Sequence, residues 1–325
     1  METVLKVVNL RKLFPAKKSS LFKRKRQFIH AVDDVSFDIK KGETFGIVGE
    51  SGCGKTTLGR LILRLIEPTS GKIFFKDQDI TSLNRAGMKR LRRQMQMIFQ
   101  DPYSSLDPRK NILNIIAEPL QVHNIAKNGL IIKEKVQESL RLVELPTSEN
   151  FLAKVPDELS GGERQRVGVA RVLVLGAEFI VADEPVSMLD ASVKAGVTSL
   201  LMGLKQKIGL TYIFITHEIG LAYYICGRIA VMYLGKIVEL GKAEEIINEP
   251  LHPYTRLLME ATPPLHPDDK WGKKVLERGE LPFSIEPPSG CRFHPRCTQV
   301  QSICEVEEPA MIEVMPKHYV ACHYT

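Results

Sequence analysis

The chain has 325 residues, 44% of them hydrophobic and 26% charged, a balance that excludes a disordered or collagenous polypeptide. Lysine and arginine (45) exceed aspartate and glutamate (38), leaving a net charge of +7 that suits an anionic partner without naming it. The length predicts two units, or one domain with an appendage. No stretch of roughly 18 apolar residues occurs, and the start METVLKVVNL lacks the pattern of a signal peptide, so a cytoplasmic chain is expected. Six cysteines in that setting argue for metal or chance rather than disulfides.

In chain order, Val4–Val8 and Val35–Ile39 read as strands. The basic cluster Lys17, Lys18, Lys23, Arg24, Lys25 and Arg26 between them is either a solvated loop or a contact for an acidic partner. Thr44–Val48 is a buried strand that runs into a glycine-rich turn, and a helix over 55–66 should end where Pro68 stops it. Lys72–Phe75 and Met97–Phe99 are further strands. From about Pro102 to Pro156 the pattern turns helical, with Val136, Leu140 and Val143 at helix spacing. Alternation resumes with Phe179–Ala182, a helix near Ala191–Lys207, Thr211–Ile215 and Ile229–Tyr233. This is the signature of an α/β core with a mainly parallel sheet. After Pro263 the prolines at 263, 264, 267, 282, 287 and 288 mark a linker or extended arm, and a cysteine-bearing tail closes the chain.

Gly49-Glu-Ser-Gly-Cys-Gly-Lys55-Thr56 fits G-x-x-x-x-G-K-[ST] between a predicted strand and a predicted helix. Glycines at 49, 52 and 54 let backbone N–H groups turn toward phosphate oxygens, and the helix N-terminus adds partial positive charge. Lys55 would reach the β- and γ-phosphates and Thr56 a Mg²⁺ ion, with Ser51 and Thr57 beside them. Phe179-Ile-Val-Ala-Asp183-Glu184 is an apolar strand ending in two carboxylates, one for Mg²⁺ through water and one to polarise the attacking water. Ser160-Gly161-Gly162 opens another helix and makes a second anion-binding start. Two phosphate cradles about a hundred residues apart are explained economically if the second serves a nucleotide held by a different subunit.

With these motifs the chain resembles the ATP-binding-cassette family across residues 1 to about 260. Gly49–Thr56 corresponds to its Walker A loop, Leu159–Gln165 to its signature sequence and Asp183-Glu184 to the end of its Walker B strand. Ser187-Met188-Leu189-Asp190 corresponds to the D-loop, His217 to the switch histidine and Gln100 to the Q-loop glutamine. The resemblance implies a P-loop ATPase fold with an N-terminal antiparallel β-subdomain, a helical insertion over about 101–158 and an extension over 261–325. It implies ATP with Mg²⁺ held by Thr56, Gln100 and Asp183, Glu184 as catalytic carboxylate, and Lys55, Gln100 and His217 acting on the phosphates. It also implies a head-to-tail dimer in which Ser160, Gly161, Gly162 and Asp190 serve the partner's nucleotide. Phe14 would stack on adenine, with Phe28 as the alternative.

Gln100–Arg109, Val231–Lys236 and His252–Thr255 look like the ATPase subunits of oligopeptide/dipeptide importers, and the insertion after Phe14 like the F-type member of that pair. Related oligosaccharide importers share the architecture, and a soluble cassette ATPase acting on nucleic acid or ribosomes is the more distant alternative. Met188, Ala191 and Val172 depart from the common pattern beside the reactive positions. The implied partners are two integral membrane permease subunits, a second cassette subunit (a D-type paralogue or an identical copy) and, indirectly, an extracytoplasmic solute-binding protein. The implied location is the cytoplasmic face of the membrane, and no nucleic acid is expected. Cys291, Cys297, Cys304 and Cys322, spaced C-x5-C-x6-C-x17-C, could hold a 4Fe–4S cluster or Zn²⁺. Neither metal's common spacing is present, while similar tails in peptide-importer ATPases have been associated with a cluster.

Overall fold

Alternation of buried and exposed positions builds the first two strands, β1 (Thr3–Pro15) and β2 (Phe28–Lys40), into an antiparallel ribbon. Leu5 faces Ile39, Val7 faces Phe37 and Leu10 faces Val35, with register shifts along the way. Both strands run past their apolar cores, Val4–Val8 and Val35–Ile39, because backbone pairing continues to Pro15 opposite Phe28. The computed structural model describes residues 2–16, 27–101, 105–261 and 287–325. The basic cluster at 17–26 and the prolines from 263 to 282 lie outside those residues.

The fold divides into two units, residues 1–81 with 214–325, and residues 82–213. The first unit continues with β3 (Thr44–Val48), buried throughout, and α1 (Lys55–Ile62). That helix is shorter than the sequence suggests. The chain turns at Arg64, whose φ is +50°, well before Pro68. The buried Arg64 guanidinium donates to the carbonyls of Ile80 and Thr81 and pairs with Glu67, which holds the turn. Strands β4 (Ser70–Phe75) and β5 (Gln78–Asp79) join the ribbon in the order β2-β1-β4-β5. This is the antiparallel subdomain expected from the resemblance.

The second unit holds α2 (Arg85–Leu91), β6 (Met95–Ile98), α3 (Ile112–Val122), α4 (Gly129–Leu142), α5 (Glu149–Ala153), α6 (Gly161–Leu173), β7 (Phe179–Asp183) and α7 (Ala191–Ile208). Helices α2 to α6 begin where side-chain oxygens of Asn84, Asn111, Asn128, Ser148 and Ser160 accept first-turn N–H groups. Val136, Leu140 and Val143 are fully buried, as their spacing requires. Strands β6 and β7 pair in parallel, Met97 opposite Val181.

Strand β8 (Thr211–Thr216) leads from the second unit back into the first. There follow α8 (Ile219–Ile225), β9 (Arg228–Tyr233), β10 (Lys236–Lys242), α9 (Ala243–Asn248), α10 (Pro253–Glu260), α11 (Ser302–Val306), β11 (Ile312–Met315) and β12 (His318–Val320). β9 pairs in parallel with β3, and β10 and β12 extend the sheet antiparallel. The cysteine tail is therefore no free appendage: Val320 of β12 faces Glu239 of β10, and Phe293, Cys304 and Val320 are buried. A fully buried side-chain contact locks this join. His318 Nε2 lies 2.8 Å from Glu239 Oε1, and the same carboxylate accepts from the backbone N–H groups of Leu251 and His252.

Candidate functional site

The glycine-rich turn leaves β3 and enters α1, as its sequence requires. Gly54 caps the helix at φ +107°, and a Cβ there would stand 2.0 Å from the Ala31 carbonyl oxygen. At Gly49 a Cβ would stand 2.2 Å from the Met232 carbonyl oxygen. No side chain fits at either point, so the loop can lie directly on β2 and the end of β9. Lys55 is buried, and its Nζ donates to the carbonyls of Gly49 (2.8 Å) and Glu50 (3.0 Å). Ser51 and Gly52 are exposed, and Thr56 and Thr57 are half-buried at the helix start. Cys53 fills a buried variable position, where burial pushes its thiol up to about 11 and keeps it protonated.

Phe14 is half-buried near the end of β1, paired across the ribbon with Ile29, and Lys12 Nζ lies 4.9 Å from its ring centre. Phe28 is 38% exposed. His217 follows β8 with its side chain about half exposed. The buried Asp33 carboxyl of β2 meets Arg11 at 2.7 Å and His30 at 3.1 Å, and pairs with Arg292. Burial pushes that carboxyl up, but the His30 hydrogen bond and the charges of Arg292 and Lys236 outweigh it and hold the group below its ordinary value.

In the second unit, Asp183 ends β7 fully buried, and Glu184 follows with φ +45°, an uncommon conformation for a residue with a side chain. The turn is braced where Ser187 donates from Oγ to the Glu184 carbonyl oxygen at 3.1 Å. Gln100 Nε2 donates to Glu184 Oε2 at 3.2 Å. Ser160 caps α6: its Oγ accepts from the Glu163 N–H at 3.3 Å, and the Glu163 carboxylate accepts from the Ser160 N–H at 2.9 Å and from its hydroxyl at 2.8 Å. Those two bonds from Ser160 hold the Glu163 carboxyl below its usual range. Gly162 allows no Cβ without moving Val193, 2.6 Å away. Asp190 stands exposed at the start of α7. A cavity of about 330 Å³ opens beside Phe99, lined also by Gln96, Leu106, Val122, His123 and Arg171.

The two units thus carry complementary sets: phosphate loop, His217 and Phe14 in one, Gln100, Asp183, Glu184, Ser160 and Asp190 in the other. Residues 32–187 match the family model described as ABC transporter, and residues 238–304 that described as oligopeptide/dipeptide transporter, C-terminal region. The chain is 46% identical to the oligopeptide transport ATP-binding protein AppF of Bacillus subtilis, over 99% of this chain and 97% of that protein. It belongs to the ABC transporter ATP-binding subunits. Two solved cassettes share this fold. A dimeric post-hydrolysis state of the cassette MJ0796 bound to ADP and phosphate is 29% identical, with a TM-score of 0.64 over 74% of this chain and 98% of that one. CbiO1 of Clostridium perfringens is 27% identical, with a TM-score of 0.64 over 77% of this chain and 92% of that one. The chain is accordingly an ATPase of the transport type, with the α/β P-loop core and the antiparallel sheet of its family. No helix among the described residues is long and apolar enough to cross a membrane.

Among the described residues the four tail cysteines form no disulfide with one another, and all four line one small pocket with His252 and Phe293. Burial pushes the Cys291 thiol up to about 11 and raises that of Cys322. Among the described residues, no group of three or more His, Cys, Asp or Glu side chains is placed to hold a single metal ion. Sequence reasoning overlooked Glu163, although Ser160-x-x-Glu163 is a capping-box pattern. It also overlooked Asp33, Arg292 and Arg296, for which no local signal exists, and gave Tyr254, inside the His252–Thr255 motif, no role of its own.

Proposed function

We propose that this subunit hydrolyses ATP to power import of oligopeptides or dipeptides through a pair of membrane permease subunits, from the cytoplasmic face of the membrane. The observation that carries the reading is that one chain holds both a phosphate loop and a capped Ser160 helix; on this reading the two are anion cradles that become one site only between two cassettes. In that assembly Lys55, Ser51, Gly52, Gly54, Thr56 and Thr57 hold the phosphates, and Phe14 stacks on adenine. The family resemblance assigns Thr56, Gln100 and Asp183 to Mg²⁺, which would neutralise charge on the β- and γ-phosphates when bound. Glu184 orients the attacking water and accepts its proton, and His217 binds the γ-phosphate. Ser160, Gly161, Gly162 and Asp190 serve the neighbouring cassette, either an identical copy or a paralogue. The Phe99 cavity takes a permease segment next to Gln100, so closure of the cassettes is transmitted to the pore.

The family match over residues 238–304 and the relation to AppF favour peptide over oligosaccharide as the solute. Reconstitution of this chain with its permeases and a solute-binding protein in vesicles should give ATP-dependent uptake of labelled peptide. Uptake of oligosaccharide alone would overturn the substrate, and no ATP-dependent uptake would overturn the role.

For the tail we propose a 4Fe–4S cluster held by Cys291, Cys297, Cys304 and Cys322. Four cysteine side chains lining one pocket are the kind of donor set such a cluster takes. A bound cluster would cross-link a tail with little core of its own. Iron and sulfide with absorbance near 400 nm in the anaerobically purified chain support this, whereas stoichiometric zinc or neither element overturns it.

A further inference from the structure

Glu50 occupies a variable position of the phosphate loop, yet it is gripped on every side. Its backbone N–H donates to Tyr254 Oη at 2.9 Å, its carbonyl accepts from Lys55 at 3.0 Å, and its carboxylate accepts from Arg296 Nη1 and Nη2, each at 2.8 Å. Arg296 comes from the cysteine tail, 246 residues away in sequence. Its side chain is largely buried, and its guanidinium carbon lies 5.8 Å from the Tyr233 ring centre and 5.9 Å from that of Phe293. Those rings pack with Tyr254 into one aromatic cluster, Tyr233–Tyr254 at 4.6 Å and Tyr254–Phe293 at 5.4 Å. A fork-to-fork pair held on aromatic faces has fixed geometry, unlike a solvated surface ion pair.

Arg296 also sits on a short turn between two of the four tail cysteines. Backbone bonds run from the His294 N–H to the Cys291 carbonyl, from Arg296 to Phe293 and from Cys297 to His294. Within the same segment, Arg292 is buried and pairs with Asp33 on β2. Residues 291–297 therefore strap two elements of the phosphate-loop side, each through one arginine.

We propose that Arg296 is a positioning residue for the phosphate loop, and that the four-cysteine pocket sets ATP affinity through it. Two effects act in the same direction. The pair holds Glu50, and with it the carbonyl that contacts Lys55, in one conformation. It also offsets a carboxylate charge that would otherwise stand beside an incoming triphosphate. The inference rests on the reading of Gly49–Thr56 as the ATP loop.

The test is equilibrium binding of Mg-ATP to the full chain, with thermal melting of the same samples without nucleotide. Arg296→Gln should weaken binding roughly tenfold, an ordinary size for coupling between two sites, and Arg296→Lys should weaken it less. In the Glu50→Gln background, Arg296→Gln should cost little more, because its partner is already gone. Cys297→Ser should also weaken binding, and its effect should vanish when Arg296 is already replaced. If Arg296→Gln does not fold, Arg296→Lys and Glu50→Gln carry the comparison. A folded Arg296→Gln variant that binds Mg-ATP within twofold of the unaltered chain, or an Arg296→Gln loss as large in the Glu50→Gln background as in the unaltered chain, overturns the proposal. Failure of the unaltered chain to bind Mg-ATP would instead overturn the reading of the loop.

Discussion

Gln100 donates a hydrogen bond to Glu184 across 3.2 Å although 84 residues separate them in the chain. The bond aims a carboxylate that already sits on a turn at φ +45°. Glu184→Gln is expected to slow ATP turnover at least a hundredfold, because an amide cannot accept the proton of the attacking water. Phosphate release in the reconstituted assembly measures this, and labelled nucleotide retained on the variant separates lost chemistry from lost binding.

Ser160 both accepts from and donates to Glu163 at the start of α6. Ser160→Ala should cost about 1 kcal/mol of stability through the lost cap, read by denaturant unfolding. Ser160→Arg should do more to function than to stability. On the proposed reading it fills the cradle for the partner's γ-phosphate, so turnover at that composite site should cease in the assembly while the isolated chain still binds nucleotide at its own loop.

His252 is buried, and burial pushes its imidazole down to about 4 from an ordinary 6.5. As the pH falls below 6.5 the unfolded chain takes up the proton first, so stability is full above that value and drains away toward pH 4. The slope is at most about 1.4 kcal/mol per pH unit. His252→Asn keeps an acceptor for the Tyr254 N–H that His252 Nδ1 now caps at 3.0 Å. Urea midpoints measured from pH 7.5 to 4 should therefore fall less steeply in that variant.

His318 and Glu239 are both 0% exposed. His318→Ala leaves a buried carboxylate without its side-chain partner and opens a cavity, at an expected cost of about 3–5 kcal/mol. Because this pair joins β12 to β10, protease should cut the tail of the variant faster than that of the unaltered chain, even where the cassette is still folded.

What the sequence alone determined is the local chemistry. A phosphate loop, a capped helix start and a strand ending in two carboxylates are each written in fewer than about ten consecutive residues. Their backbone rules, glycine at positive φ and serine at an N-cap, act over one or two turns. The family resemblance and the α/β alternation follow from the same short-range patterns. Only the tertiary structure decided how the cysteine tail relates to the cassette. The sequence shows only a short cysteine-bearing tail that follows a proline-rich linker or arm. Its anchors join residues 79 to 259 positions apart, His318 to Glu239, Arg296 to Glu50 and Arg292 to Asp33. No periodicity marks an arginine that will find a buried carboxylate, because the partner is set by strand order and packing rather than by neighbours in the chain. The same holds for the end of α1: Pro68 predicts a stop, but the earlier turn at Arg64 exists because distant carbonyls of Ile80 and Thr81 receive its side chain.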